Sequence, residues 1–114
     1  MNFLFKWLRV RATQHVTLHP TRTLDVALPF EEAFHRCTHG IESVLGGAVR
    51  DADAGGGRIE ATFGLMFSER LTCSLERLST GGTRVRVESR RGAVGEVKEQ
   101  SDYVDRLADW LSTQ

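Results

Sequence analysis

Two stretches of alternating apolar and polar residues, joined by a glycine-rich turn, constrain this chain more than any other feature. Apolar positions two residues apart are typical of strands with one buried face. The turn, Ser79-Thr80-Gly81-Gly82, contains glycines that can adopt the left-handed conformation of a short hairpin loop. The pattern predicts an antiparallel hairpin whose apolar face consists of Leu71, Cys73, Leu75, Val85 and Val87.

The two faces of this hairpin limit its register. Both apolar sets share a face only when the numbers of opposing residues sum to an even value. If residues 80–82 form the loop, with Gly82 left-handed, opposite charges and apolar side chains are paired across the strands. The predicted pairs are then Ser79 with Thr83, Glu76 with Arg86, and Leu75 with Val87.

A helical repeat follows the hairpin, from about Val97 to Leu111. One arc of the helical wheel is apolar, and charged residues occupy the rest. Such a helix must pack on an apolar surface, and the inner face of the hairpin is the nearest one in the sequence. The apolar arc contains Val97, Tyr103, Val104, Leu107, Ala108, Trp110 and Leu111.

An earlier strand and helix precede the hairpin. Leu24, Val26 and Leu28 alternate with polar or small residues, which predicts a strand. Pro29 is suited to the first turn of a helix, and Gly46-Gly47 ends that helix. The predicted apolar arc of the helix contains Phe30, Ala33, Phe34, Cys37, Ile41, Val44 and Leu45.

Another hairpin is predicted between this helix and the first one described. Residues 46–53 and 58–63 flank Ala54-Gly55-Gly56-Gly57, and Ile59, Ala61 and Phe63 should point inward. The complete order is β-α-β-β-β-β-α. We therefore expect an α+β fold in which an antiparallel sheet of about five strands carries both helices on one face. Residues 21–114 form this domain, and residues 1–20 form an N-terminal arm.

The composition limits the classes of partner. The chain has 114 residues, with 15 basic and 15 acidic side chains, so no net field attracts nucleic acid, and we expect no nucleic-acid partner. Cys37 and Cys73 both occupy apolar positions and are expected to be core thiols in a reducing, cytoplasmic setting. No apolar run is long enough for a membrane span.

The segment Met1–Arg11 is the strongest local anomaly. It contains seven apolar residues, three cations and no acid. One interpretation is that Phe3, Phe5 and Trp7 dock on the domain or on a second copy of it, which would give a homodimer. The alternative is an interfacial anchor on an anionic membrane surface. Docking is favoured because the apolar positions surround the helical wheel and form no stripe.

Two histidines lie one helical turn apart at His35 and His39, with Glu31 and Glu42 on the same face. This geometry can chelate zinc or copper. A solvated polar helix face explains the same residues, and the flanking Glu and third His of a protease motif are absent. We expect no metal and no cofactor.

The order of elements, with a helix opening on Leu28-Pro29-Phe30-Glu31-Glu32-Ala33-Phe34, resembles the helix-grip fold of the START and polyketide-cyclase superfamily, which is TBP-like. The segments Arg58–Thr62, Thr83–Arg90 and Tyr103–Leu107 are similar to the bacterial family called domain of unknown function 1499. The superfamily resemblance implies an apolar pocket between the sheet and the terminal helix. The residues expected at its rim are Glu69, Ser89, Arg91, Tyr103 and Trp110.

Enzymatic activity has little support in the sequence. No nucleophile is placed beside a base, and no glycine-rich phosphate loop leads from a strand into a helix. We expect a small non-enzymatic domain that binds an apolar small molecule between sheet and C-terminal helix. A solid interior with no pocket is the competing interpretation, since small domains pack densely. The alternative function is a protein-interaction or membrane-surface module that acts through the arm.

Overall fold

The computed structural model describes residues 20–64, 69–91 and 102–114. These contain five strands, two α-helices and one π-helical turn, in the predicted order. The bounds are β1 Thr21–Val26, α1 Phe30–His39, the π-helical turn Gly40–Val44, β2 Ala48–Asp53, β3 Arg58–Phe63, β4 Glu69–Arg77, β5 Thr83–Arg91 and α2 Tyr103–Ser112. The arm residues Phe3, Phe5 and Trp7 lie outside the described residues.

All five strands belong to one antiparallel sheet in the order β1-β5-β4-β3-β2. Its inner face is buried by both helices, and its outer face is polar and largely exposed. Ile59, Leu71 and Val85 have no exposed surface, as expected for inward positions of a half-buried sheet. The predicted α+β architecture, with both helices on one face, is confirmed.

The register of the β4–β5 hairpin differs from the prediction by two residues. Leu75 lies opposite Val85, and Glu76 lies opposite Arg84. The loop has five residues, 78–82, and is closed at its base by the Leu78 amide, which donates to the Gly82 carbonyl at 2.9 Å. In both registers the numbers of paired residues sum to an even value, so the same face is buried. Glu76 also lies opposite an arginine in both, because residues 84 and 86 are both arginine. Neither burial nor charge could therefore distinguish the two registers.

The two glycines of this loop have different roles. Gly81, with φ +96°, is the left-handed residue, so the prediction that Gly82 is left-handed was wrong. Gly82 is instead a point of close approach, because a Cβ there would lie 2.6 Å from the Val26 carbonyl oxygen at the end of β1. Beside it the buried Thr83 donates its hydroxyl hydrogen to the Leu28 carbonyl at 2.8 Å.

The β2–β3 hairpin agrees with the prediction. Ile59, Ala61 and Phe63 are buried, and residues 54–57 form the turn. A β-bulge between Val49 and Asp51 interrupts the pairing on the edge strand β2. Bulges of this kind increase local twist and disfavour pairing with further strands.

Helix α1 is shorter than predicted, and Pro29 lies at its N-cap and not in its first turn. After His39 the chain continues as a π-helical turn, in which hydrogen bonds span five residues and each turn is wider than in an α-helix. The wider turn changes which side chains point inward. Ile41 and Leu45 are buried as expected, whereas Val44, which was predicted to be inward, is 37% exposed.

Helix α2 packs on the inner face of the sheet, mainly on β1 and β5. Val104, Leu107, Ala108 and Leu111 are buried along it, in agreement with the apolar arc. It begins at Tyr103, and the predicted start near Val97 falls outside the described residues. A polar contact also joins this helix to the sheet. Arg22 on β1 donates to Asp105 on α2 at 2.7 Å, which links the edge strand to the helix.

Candidate ligand-binding site

A buried carboxyl group lies at the start of β4 on the inner face. Glu69 is only 6% exposed, although its neighbours on that face are mostly apolar. The hydroxyl of Ser89 on β5 donates a hydrogen bond to Oε2 of Glu69 at 2.7 Å. Two of the predicted rim residues are therefore in direct contact.

The strand register sets the surroundings of this carboxyl group. Phe63 on β3 and Arg91 on β5 are the residues opposite Glu69 on its two neighbouring strands. The ring of Tyr103 on α2 stacks on the ring of Phe63, with centroids 4.1 Å apart. We call the group Phe63, Glu69, Ser89 and Tyr103 the Glu69 site. The side chain of Arg91, the remaining predicted rim residue on the strands, lies outside the described part of the structure.

Trp110 is placed elsewhere on the covering helix. It lies seven residues beyond Tyr103 in α2, which corresponds to about 10 Å at the rise of an α-helix. Its indole is against Gly40, and its ring centroid is 6.0 Å from that of His39. The predicted rim is thus divided, with Tyr103 at the Glu69 site and Trp110 at the contact between the two helical segments.

Apolar side chains line the inner face between these two places. Among the described residues no buried side-chain nitrogen or oxygen lacks a hydrogen-bond partner. The carboxylate of Glu69 has two acceptor oxygens, and Ser89 occupies one of them. The site can therefore accept a further hydrogen bond from a donor beside the aromatic pair.

The histidine pair was a second candidate site. His35 and His39 are both exposed, and Nδ1 of His39 is 3.5 Å from the Ser43 hydroxyl. Within residues 20–64, 69–91 and 102–114, no three metal-ligating side chains come together. We expected the His39 side chain to be surrounded by solvent only. Its ring instead lies beside that of Trp110.

The two cysteines are in contact in the core. Cys37 on α1 and Cys73 on β4 are free thiols with no exposed surface. A hydrogen bond with the Cys37 thiol, together with burial, raises the pKa of the Cys73 thiol well above its ordinary value. A thiol with a raised pKa is a poor nucleophile, since the thiolate is the reactive form.

Comparisons with known proteins bear on the fold. No family model matches the chain, and a search of curated proteins found no match. Among solved structures, the chain is similar to the di-domain aromatase/cyclase (ARO/CYC) StfQ from the steffimycin biosynthetic pathway, with a TM-score of 0.57 and 18% sequence identity. The match covers 82% of this chain and 43% of that one. The chain has a helix-grip fold.

This likeness confirms the predicted helix-grip architecture. At 18% identity the likeness concerns the fold alone, and this chain spans less than half of the length of StfQ. No helix in the described ranges is long and apolar enough to cross a membrane.

Phe63 is a site residue that was not predicted from the sequence. It was predicted to point inward, but its place beside Glu69 depends on the β3–β4 register, which pairs the two residues directly. Only five residues separate Phe63, at the end of β3, from Glu69, at the start of β4. A connection this short permits the two strand ends to lie opposite each other, and this could have predicted the contact.

Proposed function

We propose that this helix-grip domain binds an apolar small molecule between the sheet and α2, at the Glu69 site, as a binding protein without catalytic activity. The observation that carries the proposal is the hydrogen-bonded pair Glu69 and Ser89 on the buried face of the sheet. StfQ, a protein with the same fold, is named as an aromatase/cyclase of a biosynthetic pathway, which is compatible with small-molecule binding by this architecture.

The energetic argument concerns the carboxyl group. Removing a carboxyl group from water is costly unless hydrogen bonds replace the lost hydration, and the Ser89 hydroxyl supplies one such bond. An apolar residue at position 69 would pack on the inner face without that cost. A polar group at the edge of an apolar surface is the usual arrangement by which a binding site orients its ligand.

The aromatic pair supplies the apolar part of the site. The Phe63 and Tyr103 rings lie nearly parallel, at 26°, and stack beside the carboxyl group. Aromatic surfaces of this kind contribute favourable contact area to a flat ligand. The ligand that fits best has an apolar, planar body and one hydroxyl or amine that donates to Glu69.

The first experiment is native mass spectrometry of the full chain purified from its own host, followed by titration with Nile red, a neutral apolar dye. We expect a co-purified small molecule or saturable binding of one dye per chain. Glu69→Gln and Ser89→Ala should reduce the amount of co-purified molecule. Ser74→Ala is the matched control, because Ser74 is on the outer face of the same hairpin.

Two results would contradict the proposal. One is the absence of both a co-purified molecule and saturable dye binding. The other is equal retention of the molecule by the Glu69→Gln variant and by the Ser74→Ala control. Turnover of the co-purified molecule by the purified chain would contradict the non-enzymatic part alone.

We also infer kinship with domain of unknown function 1499, although no family model matches. The support is limited to the similar segments Arg58–Thr62, Thr83–Arg90 and Tyr103–Leu107. Kinship predicts that a member of that family retains a molecule of the same chemical class when it is purified in the same way. Members that retain none, or a molecule of another class, would argue against it.

A further inference from the structure

The outer face of the sheet carries a row of three arginines at one end. Arg70 on β4 and Arg90 on β5 lie directly opposite each other. Thr62 on β3 lies opposite Arg70, and Arg50 on β2 donates from Nε to the Thr62 hydroxyl at 2.9 Å. We call Arg50, Thr62, Arg70 and Arg90 the arginine row.

Like charges directly opposite each other on neighbouring strands are destabilising. In the part of the chain that the structure describes, Arg70 has no acidic partner, and Arg90 has only Glu88 at 4.0 Å. Glu88 is shared, since it lies at the same distance from Arg86. Arg70 and Arg90 are therefore not neutralised by the acids that stand next to them.

Two other arginines on the same face form short ion pairs. Arg58 pairs with Glu60 at 2.8 Å, and Arg84 pairs with Asp25 at 2.8 Å. The Arg84 guanidinium lowers the pKa of Asp25, as expected for a hydrogen-bonded ion pair. Among the described residues, Arg70 and Arg90 have no ion pair as short as these.

A shallow recess of about 630 Å³ lies over this region. Its lining includes the arginine row and, one row further along the strands, the acids Glu60 and Glu88. We propose that the arginine row is a binding site for a compact anion that carries phosphate groups. Guanidinium groups match phosphate oxygens with paired hydrogen bonds, and such an anion would relieve the repulsion between Arg70 and Arg90.

The composition of the face favours a compact anion over a polymer or a membrane. The neighbouring acids repel any polyanion that extends along the strands from the arginine row. No aromatic residue stands at an outward position of the five strands, so the face offers no stacking surface for single-stranded nucleic acid. The N-terminal arm is also an unsuitable occupant, since the first 24 residues contain no Asp or Glu.

The test is a titration of the full chain with pyrophosphate at constant ionic strength, followed by calorimetry and thermal melting. We expect one pyrophosphate per chain and a higher melting temperature than in sodium chloride of equal ionic strength. Arg70→Gln and Arg90→Gln should each weaken binding at least tenfold. Arg84→Gln, on the same face, is the matched control and should bind as the wild type does.

A second readout separates binding from a general loss of charge. Without pyrophosphate, Arg70→Gln should melt at the same or a higher temperature than the wild type, because it removes one of two opposed cations. Equal pyrophosphate binding by wild type and Arg70→Gln, or no binding by the wild type, would overturn the proposal.

Three further outcomes would also count against it. Tight binding of phosphatidylglycerol vesicles without binding of pyrophosphate would make a membrane surface the partner. The same result with a single-stranded oligonucleotide would make nucleic acid the partner. Binding of pyrophosphate only after Glu96→Gln and Glu99→Gln would show that the chain's own acids occupy the arginines.

Discussion

The indole of Trp110 on α2 lies directly over the backbone of Gly40, at the point where α1 changes into the π-helical turn. A Cβ on Gly40 would lie 2.8 Å from Cζ3 of Trp110 and 2.9 Å from Cδ1 of Leu107. The absence of a side chain at Gly40 is thus what permits the two helical segments to approach each other. Both segments cover the same sheet, so this contact also sets the position of α2.

Gly40→Ala should destabilise the domain by about 1 to 2 kcal/mol. Overpacking a core contact costs about 1 to 3 kcal/mol, and the higher helix propensity of alanine offsets up to about 1 kcal/mol of this. Urea unfolding measures the difference. In a Trp110→Leu background the cost should be smaller, and an equal cost in both backgrounds would show that the indole does not restrict position 40.

The glycines of the β4–β5 loop should respond differently to asparagine. Gly81 is left-handed and has open space around it, so Gly81→Ala should cost about 1 kcal/mol and Gly81→Asn less, because asparagine tolerates this conformation. At Gly82 the obstacle is the Val26 carbonyl oxygen, so Gly82→Ala and Gly82→Asn should be similarly destabilising. Thermal melting of the four variants distinguishes the two mechanisms. Equal rescue by asparagine at both positions would contradict them.

The Cys73 thiol should make the stability of the fold depend on pH above about 8.5, the ordinary range of a thiol. In the folded state its pKa is raised, so the folded chain keeps a proton that the unfolded chain loses as the pH rises. Stability is therefore complete below that range and falls above it. We expect a decrease in the free energy of unfolding between pH 8 and pH 10 that is smaller in Cys73→Ala. Parallel pH profiles for the two proteins would exclude this role of Cys73.

The burial of both cysteines predicts slow thiol modification. At pH 8 both buried cysteines should react with a disulfide reagent such as DTNB only after unfolding. The denatured chain is the control, in which two thiols should react at once. Rapid reaction of a thiol in the native chain would show that the core opens around Cys37 or Cys73.

Periodicity was sufficient for the faces of the sheet but not for its register. The buried face of each strand in the β4–β5 hairpin follows from the apolar pattern, and it was predicted correctly. The shift of two residues depends on how many residues close the loop, and Thr80, Gly81 and Gly82 are compatible with a loop of three or of five. Local sequence does not decide this, because the alternatives differ in the approach of Gly82 to Val26 on a distant strand.

That one register error concealed the arginine row and the contact between Ser89 and Glu69. In the predicted pairing Arg70 lies opposite Gly92, and Ser89 lies opposite Cys73. In the structure Arg70 lies opposite Arg90, and Ser89 lies opposite Leu71, which is two residues from Glu69 on the same strand. Sites formed by cross-strand neighbours are therefore the part of this protein least accessible from sequence, whereas the core positions were accessible because burial alone determines them.

The remaining prediction concerns the arm, which lies outside the described residues. Burying Phe3, Phe5 and Trp7 would contribute several kcal/mol, at about 25 cal/mol per Å² of apolar area. Leaving them in water would favour association. We propose that they dock on the domain or on a second copy. Deletion of residues 1–11 should then lower the melting temperature or change the mass in solution from dimer to monomer.

Two full-length variants separate the apolar and the charged parts of the arm. Replacing Phe3, Phe5 and Trp7 by serine removes the apolar surface and should reproduce the effect of the deletion. Replacing Lys6, Arg9 and Arg11 by glutamine removes only the cations and should leave melting temperature and mass unchanged, because docking by apolar burial does not require them. If instead the deletion changes neither quantity, while the glutamine variant loses salt-sensitive binding to anionic vesicles, docking is wrong and the arm is a membrane-surface anchor.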